Sequence, residues 1–394
     1  MRRNGIGILL WVAVLFVAGN NAWRVYTSAA PVMTASVSSD GAYALTAHRD
    51  QKLILWDLAH QTREIISRDA NSYAAYFVKE QPVFVWQNLD NIVKVQSLSG
   101  EIKQQFTLDR PVYGHLMTRD LQTYYYSDLG WSLFRRNADG TSQTLKATDD
   151  NAFLGYHKLL NLAMDNAELR LVTAGSGEPK GFEPPYYQTL AEVLEDGENY
   201  KRLYSVALWD LNSGEPIAKL DGNSSKTHAA ISPDGQWVVS GDENGIGLYW
   251  NTTAPEQRYR LARYHLGIFV DDTPYEPGDP RNRNKSMLIE APSGARDNTL
   301  AVAFIDHSRY YLRFGNNSHI AALFETGSPW PVKYFDLGAA PELVTYGSQY
   351  SRNTAIATAP EAGVLVMGHR SGGGISVYRF NAEALTLERI WVAE

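Results

Sequence analysis

With no cysteine among 394 residues, this chain has no Cys nucleophile, thiolate metal site, disulfide or lipid-carrying N-terminal Cys. Its chemistry must come from histidines, carboxylates and hydroxyls. The nine histidines, at 48, 60, 115, 157, 228, 265, 307, 319 and 369, contain no His-x-x-x-His or comparable ligand pair. Each reads as a turn or core residue. Asp271, Asp272, Glu276 and Asp279 lie in FVDDTPYEPGDPRNRN, Phe269 to Asn284, which has the acids of a calcium loop without its Asp-x-Asn-x-Asp-Gly spacing. Three prolines interrupt the run, so it reads as a solvated loop. Gly372 to Gly374 in RSGGGIS is followed by no Lys-Ser/Thr helix that would make it a phosphate cradle, and it reads as a wide hairpin. Gly175-Ser176-Gly177 lacks the Gly-x-Ser-x-Gly elbow of a serine nucleophile. Carboxylates are plentiful, but the sequence sets no pair across a cleft. No catalytic, cofactor-binding or metal-ligating residue is assigned.

The elements around these residues read as strands. Residues 38 to 57, SSDGAYALTAHRDQKLILWD, and 232 to 251, SPDGQWVVSGDENGIGLYWN, share one plan. An Asp-Gly turn is followed by an alternating segment, a polar turn, and a second alternating segment closing on Trp. Asp40 to Trp56 and Asp234 to Trp250 both span sixteen positions. Such a unit cannot bury its apolar face alone, so several must stack. Residues 33 to 67 hold four alternating segments, the content of one small antiparallel sheet. Further units are expected over 73 to 110 (Glu80 to Gln96 keeps the interval), 112 to 147, from about Leu159, 227 to 262, Met287 to Leu337 with Asp297-Asn298 as its turn, and Thr354 to Val392. In the last, Gly363 to Tyr378 matches Gly41 to Trp56. The expected fold is an all-β, seven-bladed propeller.

These segments resemble the WD-repeat family, whose hallmark is a polar turn, a strand, an Asp-containing turn and a strand ending Trp-Asp. Trp56-Asp57 and Trp209-Asp210 carry that dipeptide, and Trp250-Asn251 is one change away. Asp40, Gly41, Trp56, Asp57, Trp209, Asp210, Asp234, Gly235 and Trp250 are the structural repeat residues. The family's Gly-His pair ahead of the Asp-Gly turn is found at that spacing in no unit: Gly114-His115 lies too close to Asp120, Gly368-His369 follows a second strand, and His228 has no preceding Gly. The resemblance implies an architecture and carries no functional residue across.

Arg2 and Arg3 precede Gly5 to Gly19, GIGILLWVAVLFVAG, which has no charged side chain. Fifteen helical residues span roughly 22 Å against a ~30 Å hydrocarbon core. Extension to Trp23 brings the length closer, with Trp23 and Tyr26 as interfacial anchors. An uncleaved signal anchor over residues 5–23 is expected, its Arg pair inside the cell. The alternative is a signal peptide cleaved after Gly19 or Ala22, leaving a soluble periplasmic protein. Residues 1–30 are then anchor and linker, and 31–394 the propeller. Cysteine-free composition favours a bacterial periplasm over a eukaryotic lumen, where glycans at Asn223 or Asn284 would be the sign. A net charge of −7 without a Lys/Arg run excludes nucleic acid as a partner.

About 178–202 interrupts the fourth unit, since Trp209 follows Asp165 by 44 positions. Pro184-Pro185 can open a helix on which Tyr187, Leu190, Val193 and Leu194 share a face. The insertion is expected either to cover a blade edge or to bind a partner through Phe182, Tyr186, Tyr187, Leu190 and Leu194. The expected function is a non-catalytic scaffold for other envelope proteins, anchored in the bacterial inner membrane and without a cofactor. The alternative is a propeller enzyme or small-ligand binder with its site in the central channel, near Thr34, Tyr73, His115, Asn161, Thr227 and Thr354.

Overall fold

A computed structural model describes residues 30–128, 132–146, 158–176, 206–223, 226–264, 288–289, 291–315, 318–338, 355–369 and 372–393. Seven four-stranded antiparallel sheets form from consecutive strands. Blade one holds β1 (Val32–Val37), β2 (Tyr43–His48), β3 (Leu53–Asp57) and β4 (Thr62–Ser67). Blade two holds β5 (Ala70–Phe77), β6 (Val83–Asn88), β7 (Ile92–Ser97) and β8 (Ile102–Thr107). Blade three holds β9 (Val112–Met117), β10 (Thr123–Asp128), β11 (Leu133–Asn137) and β12 (Ser142–Lys146). Blade four holds β13 (Lys158–Met164), β14 (Arg170–Ser176), β15 (Val206–Asp210) and β16 (Pro216–Leu220). Blade five holds β17 (Thr227–Ile231), β18 (Trp237–Asp242), β19 (Gly247–Asn251) and β20 (Arg258–Arg260), after which β21 (Arg263–Tyr264) pairs in parallel with β22 (Leu288–Ile289). Blade six holds β23 (Thr299–Asp306), β24 (Tyr310–Gly315), β25 (Ile320–Glu325) and β26 (Pro331–Asp336). Blade seven holds β27 (Ile356–Ala359), β28 (Val364–Gly368), β29 (Ile375–Asn381) and β30 (Thr386–Ala393). No helix among the described residues crosses a membrane, and Gly5 to Gly19 lies outside them.

The burial of each strand follows its rank in the blade. Second strands are covered on both faces, so β2, β6 and β10 are buried almost throughout. Fourth strands form the outer edge and carry Arg63, Lys103 and Arg389, charges that discourage edge pairing. Seven apolar clusters lie between successive blades. The seventh joins Val37, Ile54 and Trp56 of blade one to Val364, Val366 and Val377 of blade seven and closes the ring.

Turns joining first to second and third to fourth strands share the lower face; the other connections share the upper. The lower turns explain the repeat residues. Ser38 Oγ donates to Asp40 Oδ1 (2.6 Å), which also accepts the Ala42 amide (3.0 Å), while the Tyr43 amide donates to Ser38 Oγ (2.9 Å). Ser232, Asp234, Gln236 and Trp237 repeat the pattern, and so do Thr118, Asp120, Gln122 and Thr123. Gly41 has φ +69°, and a Cβ there would stand 2.7 Å from Val364, so this turn and the ring closure both require glycine. Asp57 accepts the His60 amide, and Asp210 the amides of Asn212 and Ser213, so the Trp-Asp carboxylate caps the next turn. Asn251 does the same for Thr253, which is why Asn serves there.

Two expected alignments need correction. Asp297-Asn298 is not the lower turn of blade six but precedes β23; that turn is at Asp306–Arg309. Asp297 instead accepts Nη2 of the fully buried Arg313 at 2.6 Å. In blade seven Tyr378 pairs with Leu365 as Trp56 pairs with Ala44, but the equivalent of Gly41 is Ala362, one residue before Gly363.

Trp56, Trp209 and Trp250 are buried between blades. In blade one Trp56 Nε1 donates to Thr46 Oγ1 (2.8 Å), Thr46 Oγ1 lies 2.8 Å from His48 Nε2, and His48 Nδ1 lies 3.0 Å from the Ala30 carbonyl. A carbonyl only accepts, so His48 carries its proton on Nδ1 and the Thr46 hydroxyl donates to Nε2. Burial lowers the His48 pKa and keeps it neutral. Trp209 Nε1 donates to Thr173 Oγ1 (3.0 Å). In blade five Ser240 Oγ donates to Asn223 (3.0 Å), in the connection ahead of β17. The histidine of blade one thus comes from the second strand itself. Thr46→Val leaves two buried groups unpaired and is expected to lower stability by about 2 kcal/mol in urea melts, against about 1 kcal/mol for Thr173→Val; equal losses would contradict the relay.

Candidate functional site

First strands of all seven blades converge on the axis and line it with small residues among larger ones. Ala35, Gly114, Ala163, Ala230, Ala303 and Ala357 line a cavity of about 310 Å³. Thr34, Tyr73, His115 and Asn161 are among its lining residues, as expected of a channel site; Thr227 is buried beside the lining residue His228, and Thr354 lies outside the described residues. Asn161 Oδ1 accepts the Ala229 amide (2.9 Å), a structural use. The His115 ring is buried, its Nδ1 2.9 Å from the Tyr124 hydroxyl, and burial pushes its pKa down to about 3. It is neutral at physiological pH.

Polarity gathers at the lower mouth, where the seven turns are stitched to one another. The Glu80 amide donates to Ser39 Oγ (2.9 Å), joining blades one and two, and the Glu80 carboxylate meets Arg119 Nη1 of blade three (2.9 Å). The Arg119 amide donates to Glu168 of blade four (2.6 Å). The Asn166 amide donates to the Pro233 carbonyl of blade five (2.8 Å), the Asp234 amide to Ser308 Oγ of blade six (2.9 Å), and the His307 amide to the Pro360 carbonyl of blade seven (3.0 Å). The seventh junction is the Gly41 contact with blade seven.

Asn166 bolts this rim together. Its carbonyl accepts Arg119 Nη2 (2.6 Å), its Oδ1 accepts Lys79 Nζ (3.0 Å), and its Nδ2 donates to Glu361 Oε1 (2.6 Å). With the bond to Pro233, one side chain and its peptide link blade four to blades two, three, five and seven. Lys79 Nζ also donates to the Met164 carbonyl (2.5 Å). Burial pushes the Lys79 pKa down to about 8, against the opposing pull of Glu361, Asp165 and Glu168. Burial likewise raises Glu168, which the Arg119 amide partly offsets. Among the described residues no group of three His, Asp or Glu is placed to hold a metal. The arrangement can brace the ring and place a cation at the channel floor. None of this was foreseen from sequence, because Asn166 and Glu361 are 195 positions apart.

Phe182, Tyr186, Tyr187, Leu190 and Leu194 lie outside the described residues, as does the Phe269 to Asn284 run. Their attachment is defined: β14 and β15 meet the insertion at the upper face.

Lys79 is charged in the unfolded chain up to about pH 10.5 and in the folded one only to about 8. The burial cost is therefore present below pH 8 and relieved between 8 and 10.5. The stability of the wild type relative to Lys79→Met is expected to rise across that window; a flat difference in denaturation midpoints would contradict the burial of this ammonium. Asn166→Ala is expected to cost about 1–2 kcal/mol in the same assay, since it leaves Lys79 and Glu361 without their shared partner.

Comparison with known proteins agrees with this geometry. The family model described as "WD domain, G-beta repeat" matches residues 22–57 and 214–251. No curated protein matches the chain. Among solved structures, the β-propeller domain of Cps50 (Swd1) from Myceliophteria thermophila is similar, at 12% identity over 89% of this chain and 98% of that one, with a TM-score of 0.58. A chain in the crystal structure of a mitotic checkpoint complex is similar at 11% identity over 88% of this chain and 86% of that one, also with a TM-score of 0.58. At these identities the likeness concerns fold alone. The chain is a WD-repeat-like, seven-bladed β-propeller.

Proposed function

We propose that this protein is a non-catalytic interaction scaffold, a propeller held by residues 5–23 at the periplasmic side of a bacterial inner membrane, where it docks other envelope proteins. The observation that carries the reading is the stitched ring, whose lower turns are held in fixed positions by bonds that pass from blade to blade. A rigid disc with short, charged outer strands offers recognition surfaces without open sheet edges. One structural neighbour is named as part of a mitotic checkpoint complex, in keeping with a propeller that works by association.

The topology supports a definite orientation for such an anchor. β1 starts at the upper face, so an anchor joined to it would turn that face toward the bilayer, together with the two attachment points of the 178–202 insertion. The lower face would then look into the periplasm. The alternative, a soluble periplasmic protein released by signal cleavage, keeps the same disc without the tether.

Alkaline extraction of membranes is expected to leave the full chain in the pellet and to release a form lacking residues 1–23; release of the full chain with a new N-terminus near residue 20 would establish cleavage instead. Affinity capture from solubilised membranes is expected to lose partners when residues 178–202 are deleted. Unchanged partners would remove Phe182, Tyr186, Tyr187, Leu190 and Leu194 from the binding surface.

A further inference from the structure

The excess acid of this chain is concentrated on one face. The fourteen lower turns, all of them among the described residues, hold twelve carboxylates against three cations, Lys79, Arg119 and Arg309, a net of −9. The whole chain carries −7, so everything outside those turns sums to +2. The described connections of the upper face hold seven carboxylates against six cations. The lower charge is not cancelled where it stands. Of the twelve, only Glu80 and Glu101 have a cation of the described residues within ion-pair distance. Arg119 is taken by Glu80, Arg309 by Glu325 of β25, and Lys79 by the Met164 carbonyl and Asn166. Asp40, Asp120 and Asp234 accept amides of their own turns, which fixes each carboxylate and leaves its charge in place. Ten of the twelve are exposed, so the charge faces solvent.

Two observations say what such a face receives. Its carboxylates are spread over the turns of six blades, and no three of the described His, Asp or Glu are placed to hold a metal ion, so the field suits charges strung along a chain better than a point cation. Two large apolar side chains also stand exposed in these turns, Leu169 of blade four (49%) and Trp330 of blade six (39%), which a protein can cover and a small polycation cannot. We infer that the lower face docks an extended segment of a partner protein, rich in lysine and arginine with apolar residues between them. This inference rests on the scaffold reading and adds the chemistry of the partner to it. Attraction between opposite fields speeds the encounter and is screened by salt, the Debye length being ~8 Å at 0.15 M and ~3 Å at 1 M.

The test uses the purified full chain in detergent and a labelled twelve-residue peptide repeating Lys-Leu-Ser, with a Glu-Leu-Ser peptide, spermine and magnesium as comparisons. The lysine peptide is expected to bind saturably and ~10-fold more weakly when salt rises from ~50 mM to ~300 mM, while the glutamate peptide does not bind and equimolar spermine or magnesium does not displace it. Glu215→Lys, Glu256→Lys and Glu383→Lys together bring the face from −9 to −3 at exposed side chains that make no bond to a described residue, so the ring is left intact. This variant is expected to bind ~10-fold or more weakly, against less than ~3-fold for Glu64→Lys, Asp90→Lys and Glu388→Lys, the same change of charge off this face. Leu169→Ser with Trp330→Ala is expected to weaken binding ~3–10-fold. No binding of the lysine peptide, displacement by spermine or magnesium, equal weakening by the two lysine variants, or unchanged binding by the Leu169 and Trp330 variant would each overturn the proposal. Each of these results leaves the scaffold reading standing, because the 178–202 insertion is attached at the other face; that reading fails separately, if the wild-type chain captures no envelope protein.

Discussion

Every feature of this molecule depends on the fact that a four-stranded blade has two apolar faces and can cover neither by itself. Each face is buried only against a neighbour, so stability requires a complete circuit of seven seams. The first and last blades are each a continuous run of chain, β1 to β4 and β27 to β30. No strand is shared between the ends. Closure therefore rests on a backbone bond from the Val32 amide to the His369 carbonyl (3.0 Å) and on side chains, above all the packing of Trp56 against Trp391, 5.9 Å apart edge to face, and the approach of Val364 to Gly41.

Polar bonding adds precision to this apolar closure. Inside the blades, the N–H groups of Trp56 and Trp209 find hydroxyl partners on neighbouring strands, so these two rings are buried with their donors satisfied. Around the lower mouth, bonds pass from turn to turn, and Asn166 ties opposite sides of the ring together. A neutral amide suits that position because it donates and accepts at once, and a carboxylate or ammonium would do only half of this. The cost of gathering these groups falls on Lys79, whose ammonium is held partly out of water.

Much of the fold was legible because repeat spacing survives even where residue identity does not. Gln96 occupies the Trp56 position of blade two and accepts Trp86 Nε1 at 3.0 Å, so the interval from Glu80 was meaningful without a tryptophan at its end. Blade six was misaligned because Asp-Asn marks a turn in sequence, whereas Asp297 is the partner of the buried Arg313, an assignment that only three-dimensional proximity reveals. The expected channel positions Thr34, Tyr73, His115 and Asn161 followed from strand rank. The charged floor did not, since Lys79, Arg119, Asn166 and Glu361 sit in turns of different blades that look alike in sequence. Missing Gly-His pairs were equally uninformative, because His48 and Asn223 enter the interior from other positions.

Hydrogen exchange read strand by strand tests the closed ring most directly. If seven seams form one cooperative circuit, amides of β1, β2, β28 and β29 exchange as slowly as those of β10 and β18 and open with them in a single global event. Earlier, separate exchange of blades one and seven, with the other blades still protected, would contradict closure by packing and leave an open arc in place of a disc.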